Sequence, residues 1–314
     1  MSRILACVSV TGANGFIGSH IVDALLKLGY IVRGIFRNYP GLLRSDILSH
    51  PNFSFHITDL TDLSALEYCI DESQFIIHLA CSSLPSSSNF YEDISINMLG
   101  SINVLNAAKR LGVERVVFLS SGGTVYGVPE SIPITEEHST NPICSYGITK
   151  LAIEKYFSLY DTLYDLDALV LRVSNPYGER QRVNSPQGVI PIFLDRALQS
   201  KPLEIWGNGT NIRDYLYISD LISALLTSLS YQGNERLFNI GSGCGHTILH
   251  IVRQIECLVN HPVDVNFHNK RGFDVPSNIL SIDRAKAALK WEPKVSLNDG
   301  MAKVYAAMRS KNYL

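Results

Sequence analysis

No CxxC pair occurs among the six cysteines, Cys7, Cys69, Cys81, Cys144, Cys244 and Cys257. A chain of 314 residues can bury a core without a disulfide frame, so a reduced, cytoplasmic setting is expected. No apolar stretch approaches the ~20 residues of a membrane span. The short run Ile4–Val10 leads straight into a glycine loop and reads as a first strand, not a signal peptide. A surplus of one charge is lacking too: 27 Lys and Arg stand against 29 Asp and Glu, a net charge of -2. Neither nucleic acid nor membrane is therefore expected as the main partner. An anionic ligand would have to be held by local arginines and helix ends. HExxH, paired-histidine and clustered-cysteine signatures are missing, and no metal is expected. Internal repeats and low-complexity segments are absent, which leaves one large domain or two coupled ones.

What is there begins as an alternation of short β-type runs and helical patterns. The strands expected are Ile4–Val10, Ile31–Phe36, Phe53–Ile57, Phe75–Leu79, Val113–Leu119 and Ala168–Val173. Between them, Ile17–Leu28, Asn97–Leu111 and Thr149–Tyr160 read as helices. This pattern predicts an α/β fold, a Rossmann-type doubly wound parallel sheet over residues 1–174. After Ser174 the alternation is lost, and residues 175–314 read as a smaller mixed α/β substrate-binding part, with a return of the chain to the sheet left open. Open α/β sheets bind ligands at the carboxyl ends of their strands.

The first strand ends in Gly12-Ala-Asn-Gly15-Phe16-Ile17-Gly18. Gly12 allows a tight turn, Gly15 lets backbone approach a pyrophosphate, and Gly18 permits close helix packing. The helix opened by Phe16 and Ile17 then offers free N–H groups and its positive end to phosphate. Asp59 follows the third strand, where an acid can accept a hydrogen bond from an adenine amino group or simply cap the next helix. A carboxylate at the end of the second strand would select NAD; this chain has Phe36-Arg37-Asn38 there, with Arg33 nearby. Arginine can accommodate a 2′-phosphate, so NAD is expected and NADP is left open.

Tyr146 and Lys150 lie four residues apart, on one face of a helix. A free tyrosine, with a pKa of ~10, is a poor base at neutral pH. Bringing it to neutrality takes ~4 kcal/mol, which Lys150 and a positive nicotinamide ring can supply in a partly dry site. Upstream runs Phe118-Leu-Ser120-Ser121-Gly-Gly-Thr124-Val-Tyr126-Gly127, a strand end whose hydroxyls can donate to a sugar oxygen.

With TGANGFIGSH, His78-Leu79-Ala80, Asn97, SSGGTVYG, YGITK, Ser174-Asn175-Pro176, Arg213-Asp-Tyr and Trp291-Glu-Pro in this order, the chain resembles an extended short-chain dehydrogenase/reductase. Specifically, it resembles the UDP-glucose 4-epimerase-like branch of the NAD-dependent epimerase/dehydratase family. The resemblance implies Tyr146 as base and Lys150 on the nicotinamide ribose. It adds Leu60, Leu79, Ala80 and Asn97 to the cofactor site and Asn175 to the diphosphate or sugar. Arg213 and Arg271 would clamp the diphosphate, and Asp274 would hold the nucleotide ribose. Asn278, four residues after Asp274, would line the sugar pocket, where a bulky tyrosine in resembling epimerases excludes a 2-acetamido group; a turn after Pro276 is the alternative. A cytoplasmic homodimer is implied as well. In one departure, the Ser or Thr expected five residues before Gly127 is Gly122, so the hydroxyl has to come from Ser121 or Thr124, with Thr124 narrowly preferred.

A sugar dehydratase would need carboxylates beside that hydroxyl, where Gly122-Gly123-Thr124 stands instead. The expectation is therefore a nucleotide-sugar 4-epimerase acting on a UDP-hexose or UDP-N-acetylhexosamine. A 4-keto-6-deoxysugar reductase is the alternative, and a non-catalytic cofactor-binding sensor ranks well below both.

Overall fold

The computed structural model describes residues 6–39, 41–86, 89–185, 187–272 and 274–310. Ile4 and Leu5 of the first expected strand lie outside them. Seven strands form one sheet: β1 (Cys7–Thr11), β2 (Ile31–Phe36), β3 (Phe53–Ile57), β4 (Phe75–His78), β5 (Arg115–Ser121), β6 (Asp167–Val173) and β10 (Leu237–Ile240). Their order is β3-β2-β1-β4-β5-β6-β10, and every pairing is parallel. Strands covered on both faces read as unbroken apolar runs, and β1 is buried along its whole length. On one face Val8 and Val10 pack with Ile21 and Leu25 of helix Phe16–Lys27 and with Leu221 and Leu225 of helix Ile218–Ser230. On the other, Ile76 and Val116 pack with Leu66, Leu105, Ile153 and Phe157 from helices Leu63–Ile70, Leu99–Leu111 and Ser145–Tyr164.

The fifth strand starts later than the apolar run suggests. Gly112 closes helix Leu99–Leu111 in the left-handed conformation, and the Val113 N–H goes back to the Ala108 carbonyl (3.0 Å). Val113 is thus spent on ending the helix. That helix is preceded by a π-helical stretch, Asp93–Met98. The helix expected at Thr149 begins at Ser145, where no apolar periodicity announces it.

Of the chain after Ser174, helix Ile218–Ser230 and β10 return to this sheet, while other parts form small sheets of their own, one of which meets the end of β5 where Asn278 bonds Gly122. β7 (Asn175–Tyr177) and β13 (Ser277–Asn278) run parallel to β9 (Ile212–Tyr217), and β11 (Gly245–Thr247) runs antiparallel to it. β8 (Leu203–Trp206) and β12 (Val265–His268) make a separate parallel pair. Among the described residues no helix is long and apolar enough to cross a membrane.

Candidate active site

The glycine loop has the geometry a pyrophosphate needs. Gly12 sits at φ +71°, which a side chain rarely adopts, and a Cβ on it would stand 3.0 Å from the Ala80 nitrogen. A Cβ on Gly18 would run into the Gly12 carbonyl and the Ala13 backbone. Gly15 caps the helix that Phe16 and Ile17 open, and no side chain satisfies the first N–H groups, which leaves them to an anion. Thr11 Oγ1 accepts from the Leu79 and Ala80 N–H groups (3.2 Å each) and so pins the end of β4 against this loop. His78 behind it bonds Thr11 and Ser101, and burial pushes its pKa down to about 3. It is a neutral core residue.

Arg37 is exposed at the carboxyl end of β2. Arg33 turns away and pairs with Glu72 (3.1 Å), which leaves Arg37 as the arginine that could meet an adenosine phosphate there. Asp59 accepts from the Thr61 N–H (2.9 Å) and hydroxyl (2.8 Å). The backbone bond first, then the hydroxyl and Arg37, hold its carboxyl below the usual range against partial burial. The Leu60 carbonyl accepts from Asn103 (2.9 Å). Asn97 is engaged through its whole amide: it accepts from the Ser82 N–H (2.8 Å) and hydroxyl (3.1 Å), and donates to Ser83 Oγ (2.8 Å) and Asp93 (3.4 Å). It therefore braces the loop after β4.

Across that loop, Lys150 Nζ donates to the Leu119 carbonyl (2.9 Å) and lies 5.7 Å from the Tyr146 ring centre. Burial lowers the Lys150 pKa, opposed by Cys81 and Glu154. Burial, then Cys81 and Cys144, push the Tyr146 phenol well above its ordinary value, with Asp93 adding to them. A hydrogen bond with the Ser121 side chain works the other way. Thr124 Oγ1 is enclosed and has no partner among the described residues. The reason for glycine at 122 is steric: a Cβ there would stand 2.6 Å from the Leu280 side chain. Leu280 fills the space a hydroxyl-bearing side chain would need.

The residues expected to hold a diphosphate converge on Asp274. Its carboxylate lies 3.9 Å from the Arg213 guanidinium and 3.3 Å from Arg271 Nε. Arg271 also stacks on Trp206 at 4.4 Å. Burial first, then Arg271, weakens the charged form of Arg213, while Tyr215 and Asp274 support it. An arriving anion would relieve that strain. Asn175 donates to the Asp214 carbonyl (2.9 Å). Asn278 lies in a strand beside Arg213, not in a free turn. It is fully buried, donates to the Gly122 carbonyl (2.9 Å), and leaves its side-chain oxygen without a partner among the described residues.

Sequence reasoning missed three supporting carboxylates. Asp214 accepts from Ser242 N–H and hydroxyl (2.7 Å each) and from the Gly243 (3.2 Å) and Leu280 (3.3 Å) N–H groups, tying β9 to its neighbours. Glu154 pairs with Arg172 (2.6 Å) and accepts from Ser120, both sites buried. Asp93 accepts from the Ser145 hydroxyl (2.5 Å). Only Glu154 carried a signal: it sits one helical turn beyond Lys150 on the face that meets the sheet.

The NAD dependent epimerase/dehydratase family model matches residues 8–241. A putative UDP-glucose 4-epimerase of Methanocaldococcus jannaschii is 34% identical over 314 residues, covering 97% of this chain and 99% of that protein. A dTDP-4-dehydro-6-deoxyglucose reductase of Escherichia coli is also 34% identical, over 321 residues, covering 97% and 98%. The crystal structure of the Thermotoga maritima UDP-glucose 4-epimerase with UDP-glucose superposes with a TM-score of 0.92 at 32% identity, covering 97% and 99%.

Proposed function

The chain belongs to the NAD-dependent epimerase/dehydratase family, an enzyme family, and from that premise we propose that it is a nucleotide-sugar 4-epimerase. One observation carries the reading: Tyr146, Lys150 and the Ser121 hydroxyl meet at the carboxyl end of β5, in the same parallel sheet whose β1 runs into the glycine loop, and Gly122-Gly123-Thr124 stands where an acid pair would be needed. The glycine loop and Lys150 would hold NAD, which when bound would supply a reversible acceptor for the C4 hydride. Tyr146 takes the C4-hydroxyl proton and gives it back. Lys150 holds positive charge close to the phenol. Ser121, hydrogen-bonded to Tyr146, or Thr124, with its unpartnered hydroxyl, donates to the sugar oxygen. The Arg213–Arg271 pair keeps the diphosphate in place while the keto sugar turns over between its two faces. A panel of nucleotide sugars with and without NADPH tests this. Product without net cofactor turnover is the epimerase result; loss of one NADPH per 4-keto sugar is the reductase result. The reductase is the second reading, favoured by exposed Arg37, which also suits NADP.

The unpartnered Asn278 carbonyl beside Gly122 suits a 2-acetamido N–H, since a buried acceptor left unpaired costs about 1–3 kcal/mol. We expect the enzyme to accept UDP-N-acetylhexosamines at least as well as plain hexoses. Asn278→Tyr should then lower kcat/KM for the acetamido substrate at least ~10-fold more than for the hexose, about 1.4 kcal/mol of discrimination. Equal loss on both substrates would remove Asn278 from the sugar pocket.

Leu99, Ile148, Leu159 and Leu163 are exposed along helices Leu99–Leu111 and Ser145–Tyr164. We read this apolar face as covered by a second copy of the chain. The free state of all six cysteines supports a reducing, cytoplasmic setting.

A further inference from the structure

Helix Ser145–Tyr164 carries both Tyr146 and Lys150, yet its N-cap, Cys144, offers no side-chain cap. The missing anion comes from elsewhere in the fold. Asp93, in the π-helical stretch Asp93–Met98, is fully buried and accepts from Ser145 Oγ at 2.5 Å. The same carboxylate receives Asn97 Nδ2 at 3.4 Å, and the Asn97 amide holds Ser82 and Ser83 in the loop after β4. One side chain thus ties the residue next to Tyr146 to the loop across the cleft. A carboxylate near the first turn of a helix also complements its positive end.

We propose that Asp93 is a positioning residue for the proton transfer, bracing the first turn of the Tyr146 helix against the loop after β4 through Ser145 on one side and Asn97 on the other. The proposal rests on Tyr146 being the base. The groups that face Tyr146 are Ser121 at the end of β5, Cys81 in the loop after β4, Cys144 just before the helix, Lys150 one turn along it, and Asp93. Burial is the main cause that keeps the phenol protonated, with Cys81 and Cys144 next; Asp93 acts in the same direction.

The test is steady-state kinetics of the NAD-loaded enzyme on UDP-glucose, with the fold checked by circular dichroism. Ser145→Ala and Asp93→Ala each remove the brace and should lower kcat about tenfold with KM within about twofold. Asp93→Asn can still accept from Ser145 and should recover most of kcat. Because one contact is lost in both, the double variant Ser145→Ala/Asp93→Ala should fall no further than either single one. Asp93→Ser replaces Asp93→Ala if the latter does not fold. Unchanged kcat in the single variants, losses that multiply in the double variant, or no recovery in Asp93→Asn overturns the proposal. Full turnover by Tyr146→Phe would overturn the base assignment separately.

Discussion

Tyr146→Phe should lose turnover by at least ~10²–10⁴-fold, the usual worth of a positioned proton carrier, while nucleotide-sugar and NAD binding stay within a few-fold of the parent. The substitution removes one oxygen. It leaves the ring beside Lys150 and takes away only the bond with Ser121. In the proposed reaction the phenol belongs to the reacting atoms, whereas ligand binding would fall to the glycine loop and the arginines around Asp274. Steady-state rates and calorimetric titration of UDP-sugar separate the two effects. Turnover within tenfold of the parent would mean that another group carries the proton.

The second large effect is on stability. Glu154→Ala should destabilise the protein by about 3–5 kcal/mol, because it strands a buried guanidinium. Arg172 has 4% of its side chain exposed and Glu154 5%, so water cannot replace the lost partner. Ser120 loses its acceptor in the same step. Glu154 also favours the charged form of Lys150, so activity should fall beyond what unfolding explains. The double variant Glu154→Leu/Arg172→Leu should recover most of the stability, since paired removal of a buried ion pair is often nearly neutral. Denaturant midpoints at unchanged m report both. A single variant as stable as the parent would show that the pair contributes nothing net.

The parallel sheet and the tight glycine loop after β1 were legible because they depend on local rules. Fully buried strands read as apolar runs, and Gly12 and Gly18 stand where no Cβ fits. Tyr146 and Lys150 were legible through helical spacing and family resemblance together. The supports were not, because their partners are remote in sequence: Asp93 meets Ser145, Asp214 meets Ser242 and Leu280, and Ser120 meets Glu154. The hydroxyl choice was hidden for a related reason. Whether Ser121 or Thr124 faces the phenol depends on side-chain directions around the end of β5, and only the fold shows Ser121 bonded to Tyr146 while Thr124 Oγ1 is enclosed without a partner among the described residues. Arg33 looked like a neighbour of Arg37, but its side chain runs back to Glu72.

The most direct test of the 4-epimerase reading is turnover of UDP-glucose or UDP-N-acetylglucosamine deuterated at C4, with catalytic NAD and no reductant. The account predicts the C4 epimer with deuterium retained at C4 and no reduced cofactor accumulating in solution. No epimer, with a 4-keto sugar reduced only at the expense of added NADPH, would contradict it.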